Sequence, residues 1–196
     1  MGGDTATIGQ RDIERARRAI DARCLVFVGM MGSGKSVIGR LTAEALSMPF
    51  VDCDSEIETV SQMSIDDLFK TYGEAEFRAL EARVMNRLLQ SGAKVISTGG
   101  GAFVQPRTRA AIKARGLSVW LKADLEVLWE RVQKRNTRPL LKTANPKDTL
   151  KALLEARAPA YAMADITVQS RNVAKQTVVA QVIAAIANTY RKDSLS

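Results

Sequence analysis

An apolar run, Cys24-Leu25-Val26-Phe27-Val28, feeds directly into Gly29-Met30-Met31-Gly32-Ser33-Gly34-Lys35-Ser36, and a helical pattern from Val37 to Leu46 follows. The octapeptide satisfies G-x-x-x-x-G-K-[ST] in the strand-to-helix setting that gives the pattern its meaning. A strand that passes through such a turn into a helix is the opening of a βαβ unit, so the motif constrains the architecture as well as the ligand. Glycines let the backbone curl until several N–H groups converge, and the helix N-terminus adds its positive dipole end. The segment reads as a nucleoside triphosphate site. Gly32, Ser33, Gly34 and Val37 surround the phosphates, Lys35 reaches the β- and γ-phosphates as a mobile charge, and the Ser36 hydroxyl takes one Mg²⁺ position. An accidental glycine-rich turn is the competing reading, and the agreement of motif, strand and helix weighs against it.

Downstream, apolar β-type runs at Leu25–Val28, Phe50–Val51, Lys94–Ser97, Leu117–Leu121 and Ile166–Val168 alternate with helical patterns. The helices are expected at Val37–Leu46, Ile65–Tyr72, Glu74–Gln90, Arg107–Arg115, Leu125–Arg135, Leu150–Met163 and Ala174–Tyr190. Continuous apolar strands joined by helices predict a five-stranded parallel sheet covered on both faces, a three-layer α/β/α arrangement with right-handed crossovers. In such sheets ligands gather at the carboxyl ends of the strands. The phosphate loop, Asp52-Cys53-Asp54 and Gly99-Gly100-Gly101 each follow a strand, so they should converge on one edge. Between about 133 and 148 the pattern breaks into a polar, basic stretch, a candidate lid over the nucleotide; a plain surface connection is the alternative. Residues 1–23 carry Ile13, Ala16, Ala19 and Ile20 at helical spacing and read as an extra amphipathic helix lying on a single domain that spans 24–196.

Charge and composition exclude several classes. Lys and Arg total 29 against 21 Asp and Glu, a net +8, which favours anionic ligands. The basic residues are spread along the chain without aromatic interleaving, so nucleic acid is not expected. Histidine is absent, removing His-dependent nucleophilic catalysis and the usual His metal ligands. The two cysteines, Cys24 and Cys53, form no C-x-x-C pair, and both read as reduced thiols of a cytoplasmic protein. No run approaches a membrane span or a signal peptide, and no heptad pattern asks for a partner helix, so a monomer is expected.

The phosphate acceptor must be read from the remaining motifs. Asp52 and Asp54 lie one residue apart at a strand end, which places both carboxylates in the cleft: one to hold Mg²⁺ directly or through water, the other to take a hydrogen bond from an acceptor hydroxyl. Helix capping by Asp54 or Ser55 is the alternative use. Arg78, early on a helix among acids, and Arg157, in Arg157-Ala158-Pro159-Ala160-Tyr161, would each pass for surface residues if taken singly.

Taken together these elements resemble shikimate kinase, from about Leu25 to the C-terminal helix. The resemblance is carried by Gly29–Ser36, Asp52-Cys53-Asp54, Ser64-Ile65 leading into Gly73-Glu74 and Phe77-Arg78, Thr98-Gly99-Gly100-Gly101, Arg138-Pro139-Leu140-Leu141, and Arg157–Tyr161, in that order. It implies transfer of the γ-phosphoryl group of MgATP to the 3-hydroxyl of shikimate on a P-loop NTPase fold. It further implies that Asp54, Arg78, Gly99, Gly100, Gly101 and Arg157 bind shikimate, the arginines gripping its carboxylate and Asp54 its hydroxyls. Lys35, Asp54 and Arg138 are the catalytic set it implies, with Ser36 and Asp52 on the metal side. By the same resemblance Arg138 is the phosphate-contacting arginine, Arg131 the one against adenine, and Arg171 a residue of the adenine-side loop, where the family's proline is missing. Met63 and Cys53 also depart from residues common in the family. The alternatives are a kinase of the same architecture acting on nucleoside monophosphates or gluconate, and a nucleotide-dependent binding module. The Asp-Gly-x-Pro-Arg element usual in nucleoside monophosphate kinases is replaced here by Ser97-Thr98-Gly99-Gly100-Gly101.

Overall fold

The computed structural model describes residues 8–134, 139–141 and 143–193. Five strands, β1 (Cys24–Val28), β2 (Phe50–Asp52), β3 (Val95–Ser97), β4 (Gly116–Lys122) and β5 (Ile166–Gln169), form one sheet in the order β2-β3-β1-β4-β5, every neighbouring pair parallel. All five residues of β1 are buried, as a central strand covered on both faces requires. The predicted three-layer α/β/α fold is therefore the observed one.

Alternation along β1 divides the interior into two cores. Leu25 and Phe27 face α1 (Gln10–Ile20), α2 (Lys35–Ala45) and α8 (Lys175–Asp193), packing with Ile20, Ile38, Val182, Ile183 and Ile186. Cys24, Val26 and Val28 face the opposite layer and meet Ile57, Met85, Ile112, Leu128 and Tyr161. These residues come from α3 (Cys53–Ser61), α4 (Ile65–Gln90), α5 (Pro106–Arg115), α6 (Leu125–Gln133) and α7 (Pro146–Tyr161). Because β1 lies between β3 and β4, the connections leaving it and returning beside it diverge at its carboxyl end, and a crevice opens there.

Three local outcomes differ from the sequence expectation. Helix α3 begins at Cys53 with no loop, because the Asp52 carboxylate caps it: Oδ1 accepts from the Asp54 and Ser55 amides at 3.1 and 3.4 Å. The cap is therefore Asp52, and not Asp54 or Ser55. The helices expected on either side of Gly73 abut without a loop, and Gly73 (φ 79°, ψ 173°) makes the kink between them, a conformation glycine adopts at little cost. Helix α7 starts at Pro146, ahead of the expected Leu150; proline suits the first turn, where its missing N–H has no partner to lose. Arg138, the arginine assigned to the lid, lies outside the described residues.

Helix α1 buries Ala16, Ala19 and Ile20 in the core it shares with α8. Its Arg17 Nε also donates to the Leu46 carbonyl at 2.9 Å, tying it to the C-terminus of α2.

Candidate active site

The phosphate loop leaves β1 and enters α2 through two left-handed glycines, Gly32 (φ 81°) and Gly34 (φ 96°). A Cβ on Gly32 would stand 2.9 Å from the Val132 side chain, so α6 packs directly on the loop. Lys35 is only 8% exposed and arches over its own loop, its Nζ donating to the Gly29 and Met30 carbonyls at 2.9 Å each. Ser36 follows at the helix start, its Oγ 3.3 Å from Ser97 Oγ at the end of β3. Ser33 is fully buried, with a hydroxyl that has no hydrogen-bond partner among the described residues and a carbonyl that accepts from Ser170 Oγ at 2.8 Å.

Arg131 joins this loop to the segment between β5 and α8. Its Nη1 donates to the Gly32 carbonyl at 3.3 Å and to Ser170 Oγ at 3.0 Å, while Nη2 donates to the Arg171 carbonyl at 2.8 Å and Asn172 Oδ1 at 3.3 Å. Burial lowers its pKa from the ordinary arginine value, with Glu130 opposing. Asn172 Nδ2 in turn donates to Glu130 Oε2 at 2.7 Å. A cavity of about 480 Å³ runs from here to the phosphate loop and on to the acceptor side; Gly32, Gly34, Lys35, Ser36, Val37, Arg131, Arg171, Asp54 and Gly100 are among the residues that line it.

The acceptor side is built around the turn after β3. Thr98 Oγ1 donates to the Phe27 carbonyl at 3.0 Å, fastening the turn to β1. Added Cβ atoms show why the next three residues are glycines. On Gly99 it would meet Glu81 Oε1 at 2.6 Å and Asp54 Oδ1 at 2.8 Å; on Gly101 it would meet the Arg78 Cζ at 2.5 Å. Gly100 presents its carbonyl to Arg157 Nη1 at 3.3 Å and to the Tyr161 hydroxyl. Asp54, Arg78 and Arg157, which the sequence places far apart, thus surround one small turn.

Arg78 is held by two carboxylates. Nη1 donates to Glu81 Oε2 at 2.7 Å, and both Nε and Nη2 donate to Glu74 Oε1, at 3.3 and 3.1 Å. Burial pulls its pKa down, but the charges and hydrogen bonds of Glu81 and Glu74 outweigh burial and leave it raised. Glu81 is 1% exposed, with Oε1 lacking a hydrogen-bond partner among the described residues. Burial pushes its pKa up, and Asp54 adds to that, against the opposing pull of Arg78 and Arg157. The Tyr161 phenol is likewise pushed up by burial, to about 12, and stays a proton donor to Gly100 across the ordinary pH range.

Sequence reasoning missed Glu81, Tyr161 and Ser170. The Glu81 signal was present: an arginine and a glutamate three apart on a helix share a face. What the sequence hides is that this face points into the protein. Asp52 is occupied as the α3 cap and is not among the residues lining the cavity, whereas Asp54 lines it.

Among the described residues no group of three or more His, Cys, Asp or Glu side chains could hold a metal ion. The donor set that remains, the Ser36 hydroxyl with nearby carboxylates, fits Mg²⁺, which keeps several waters and is held through one or two protein oxygens and the substrate phosphates.

The family model for shikimate kinase matches residues 31–187. The chain belongs to the shikimate kinase family. A shikimate kinase of Rhizobium meliloti (strain 1021) is 63% identical over 188 residues, covering 96% of this chain and 98% of the relative. One from Mesorhizobium japonicum is 50% identical over 177 residues, covering 90% and 87%. Among solved structures, the shikimate kinase of Acinetobacter baumannii in complex with shikimate superposes with a TM-score of 0.84 at 34% identity, over 89% of this chain and 98% of that one. A gluconokinase from Sinorhizobium meliloti 1021, at 21% identity and a TM-score of 0.58, shares the fold. Membership in the shikimate kinase family sets aside the reading as a binding module: the chain is a kinase.

Proposed function

We propose that this chain transfers the γ-phosphoryl group of ATP to the 3-hydroxyl of shikimate, giving shikimate 3-phosphate and ADP, a step of aromatic amino acid biosynthesis. The observation that carries the reading is the cavity itself. The phosphate loop lies at one end and, at the other, Asp54 stands beside a glycine turn flanked by two arginines, Arg78 and Arg157. A rigid ring with one carboxylate and several hydroxyls matches that arrangement: guanidinium forks suit a carboxylate, and an aspartate accepts from hydroxyls.

Phosphoryl transfer of this kind runs through a loose transition state, so positioning and charge neutralisation dominate. The bond from the bridging oxygen to the γ-phosphorus breaks as the acceptor oxygen bonds to it, and the acceptor hydroxyl gives up its proton. In the proposed complex Lys35 turns from the Gly29 and Met30 carbonyls to the phosphate oxygens. Arg131 backs the adenine with Arg171 beside it, and Asp54 orients the attacking hydroxyl. Gly99 to Gly101 let the ring approach backbone closely. Arg138 is assigned to the transferring phosphate on the family pattern. Ser36 would hold Mg²⁺, with Asp52, which caps α3 through Oδ1, reaching the ion only through a water, and the ion would supply neutralisation of phosphate charge. Both cysteines are free and buried, which suits a reducing compartment such as the cytoplasm; no helix among the described residues is long and apolar enough to cross a membrane.

An ADP-release assay with Mg²⁺ that offers shikimate, gluconate and AMP separately tests the assignment. Turnover with shikimate alone is expected; turnover with either other acceptor in its place overturns it.

A further inference from the structure

Arg78 donates the Nε–Nη2 edge of its guanidinium to Glu74 Oε1. That is the edge from which an arginine offers two parallel hydrogen bonds to a carboxylate. Glu81 takes Nη1 from the other side, so two carboxylates flank the guanidinium that is proposed to receive the carboxylate of the substrate. They are not equivalent. Glu81 is 1% exposed and fixed beneath Gly99, whereas the Glu74 side chain is 54% exposed. Glu74 also directly follows Gly73, the kink of α4, where an added Cβ would meet nothing within 4 Å.

We propose that Glu74 is a stand-in for the substrate carboxylate: it holds Arg78 in place when the acceptor site is empty and is displaced into solvent when the acceptor binds. The inference rests on the assignment of shikimate, or another carboxylate-bearing acceptor, to this site. Its physical content is a competition. The Arg78 guanidinium is already shared between Glu74 and Glu81, so an incoming carboxylate must take the place of one of them. Glu74 alone of the two acids combines a half-exposed position with open room beside its backbone. Its contact keeps Arg78 oriented beforehand, at the cost of being undone on binding.

Glu74→Gln keeps the side-chain length and removes the charge. Calorimetric titration of shikimate into the folded variant should give a Kd about two- to fivefold below the parent, the range set by the modest worth of half-exposed ion pairs. The Kd of an ATP analogue should be unchanged, because the phosphate loop does not touch Glu74. A shikimate analogue lacking the carboxylate should bind parent and variant alike. A variant Kd for shikimate equal to or above that of the parent overturns the displacement, as does equal tightening toward the analogue without a carboxylate. Absence of shikimate binding to the parent removes the substrate assignment itself, a result distinct from an unaltered variant.

Discussion

Arg78 and Glu81 form the most consequential pair in the acceptor site, because one is a half-buried cation and the other a buried acid whose remaining oxygen has no partner among the described residues. Arg78 is also the proposed grip on the substrate carboxylate, and truncating one member of such a desolvated charge pair across a binding interface typically costs about 2 to 5 kcal/mol. Arg78→Met should therefore raise the shikimate Kd by roughly 30-fold or more at about 1.4 kcal/mol per tenfold, with ATP affinity nearly unchanged in parallel titrations. Glu81 makes a separate prediction through pH. Burial holds its pKa above the ordinary 4.5, so the folded chain binds that proton more tightly than the unfolded one. The corresponding stability is present below the ordinary value and is lost as pH rises through the raised one. Denaturant unfolding from about pH 4 to about pH 7 should show the parent losing stability relative to Glu81→Gln, which has no group to titrate there. Parallel pH profiles would show that Glu81 does not titrate abnormally.

At the scale of elements, the strands and most helices were legible because hydrophobic periodicity reports burial, and burial in a parallel sheet is nearly continuous. Helix α3 was not legible: its start depends on Asp52 turning from strand residue to cap within one position, and a D-x-D pattern at a strand end also reads as a pair of ligands. Glu81 escaped for a related reason, since i,i+3 pairs are ordinary on solvated helices and only the tertiary fold buries this one. The N-terminal segment yields to the same logic. From sequence it reads as a cap outside the motifs, and a terminal segment of that kind is commonly dispensable. Yet α1 buries Ile20 to 1% exposure and Ala16 completely in the core it shares with α8. Burying one isoleucine is worth about 1.5 to 3 kcal/mol, so deleting residues 1–22 should cost roughly 2 to 3 kcal/mol. For a domain of this size the Tm would fall by roughly 4–12 °C in differential scanning calorimetry, with kcat near that of the parent at temperatures well below the melt. An unchanged Tm would mean that α1 adds nothing to the core.

At the scale of the whole molecule, the proposed nucleotide and acceptor sides lie at the same sheet edge but draw on different sets of elements, the nucleotide side on helices of both layers and the acceptor side on one. The nucleotide side draws on α2, α6 and the segment before α8, stitched together by Arg131 and Ser170. The acceptor side draws on α3, α4 and α7 around Gly99 to Gly101. On the proposed assignment each ligand would clamp several elements that the unfolded chain leaves apart, and a ligand that binds only the folded state stabilises it by about 2.7 kcal/mol at one hundred times its Kd. At roughly 2–4 °C per kcal/mol, shikimate or ADP at that saturation should each raise the Tm by roughly 5–11 °C. The two effects should be separable by residue. Arg78→Met, measured at the shikimate concentration that saturates the parent, should lose most of the shikimate shift, because a 30-fold weaker Kd leaves only about three times Kd and less than about 1 kcal/mol of stabilisation. The ADP shift should persist, since no atom of Arg78 hydrogen-bonds to the phosphate loop or to the segment before α8 among the contacts described. Loss of both shifts together in thermal melts would mean that Arg78 supports the sheet edge as a whole and does not act as the grip for one ligand.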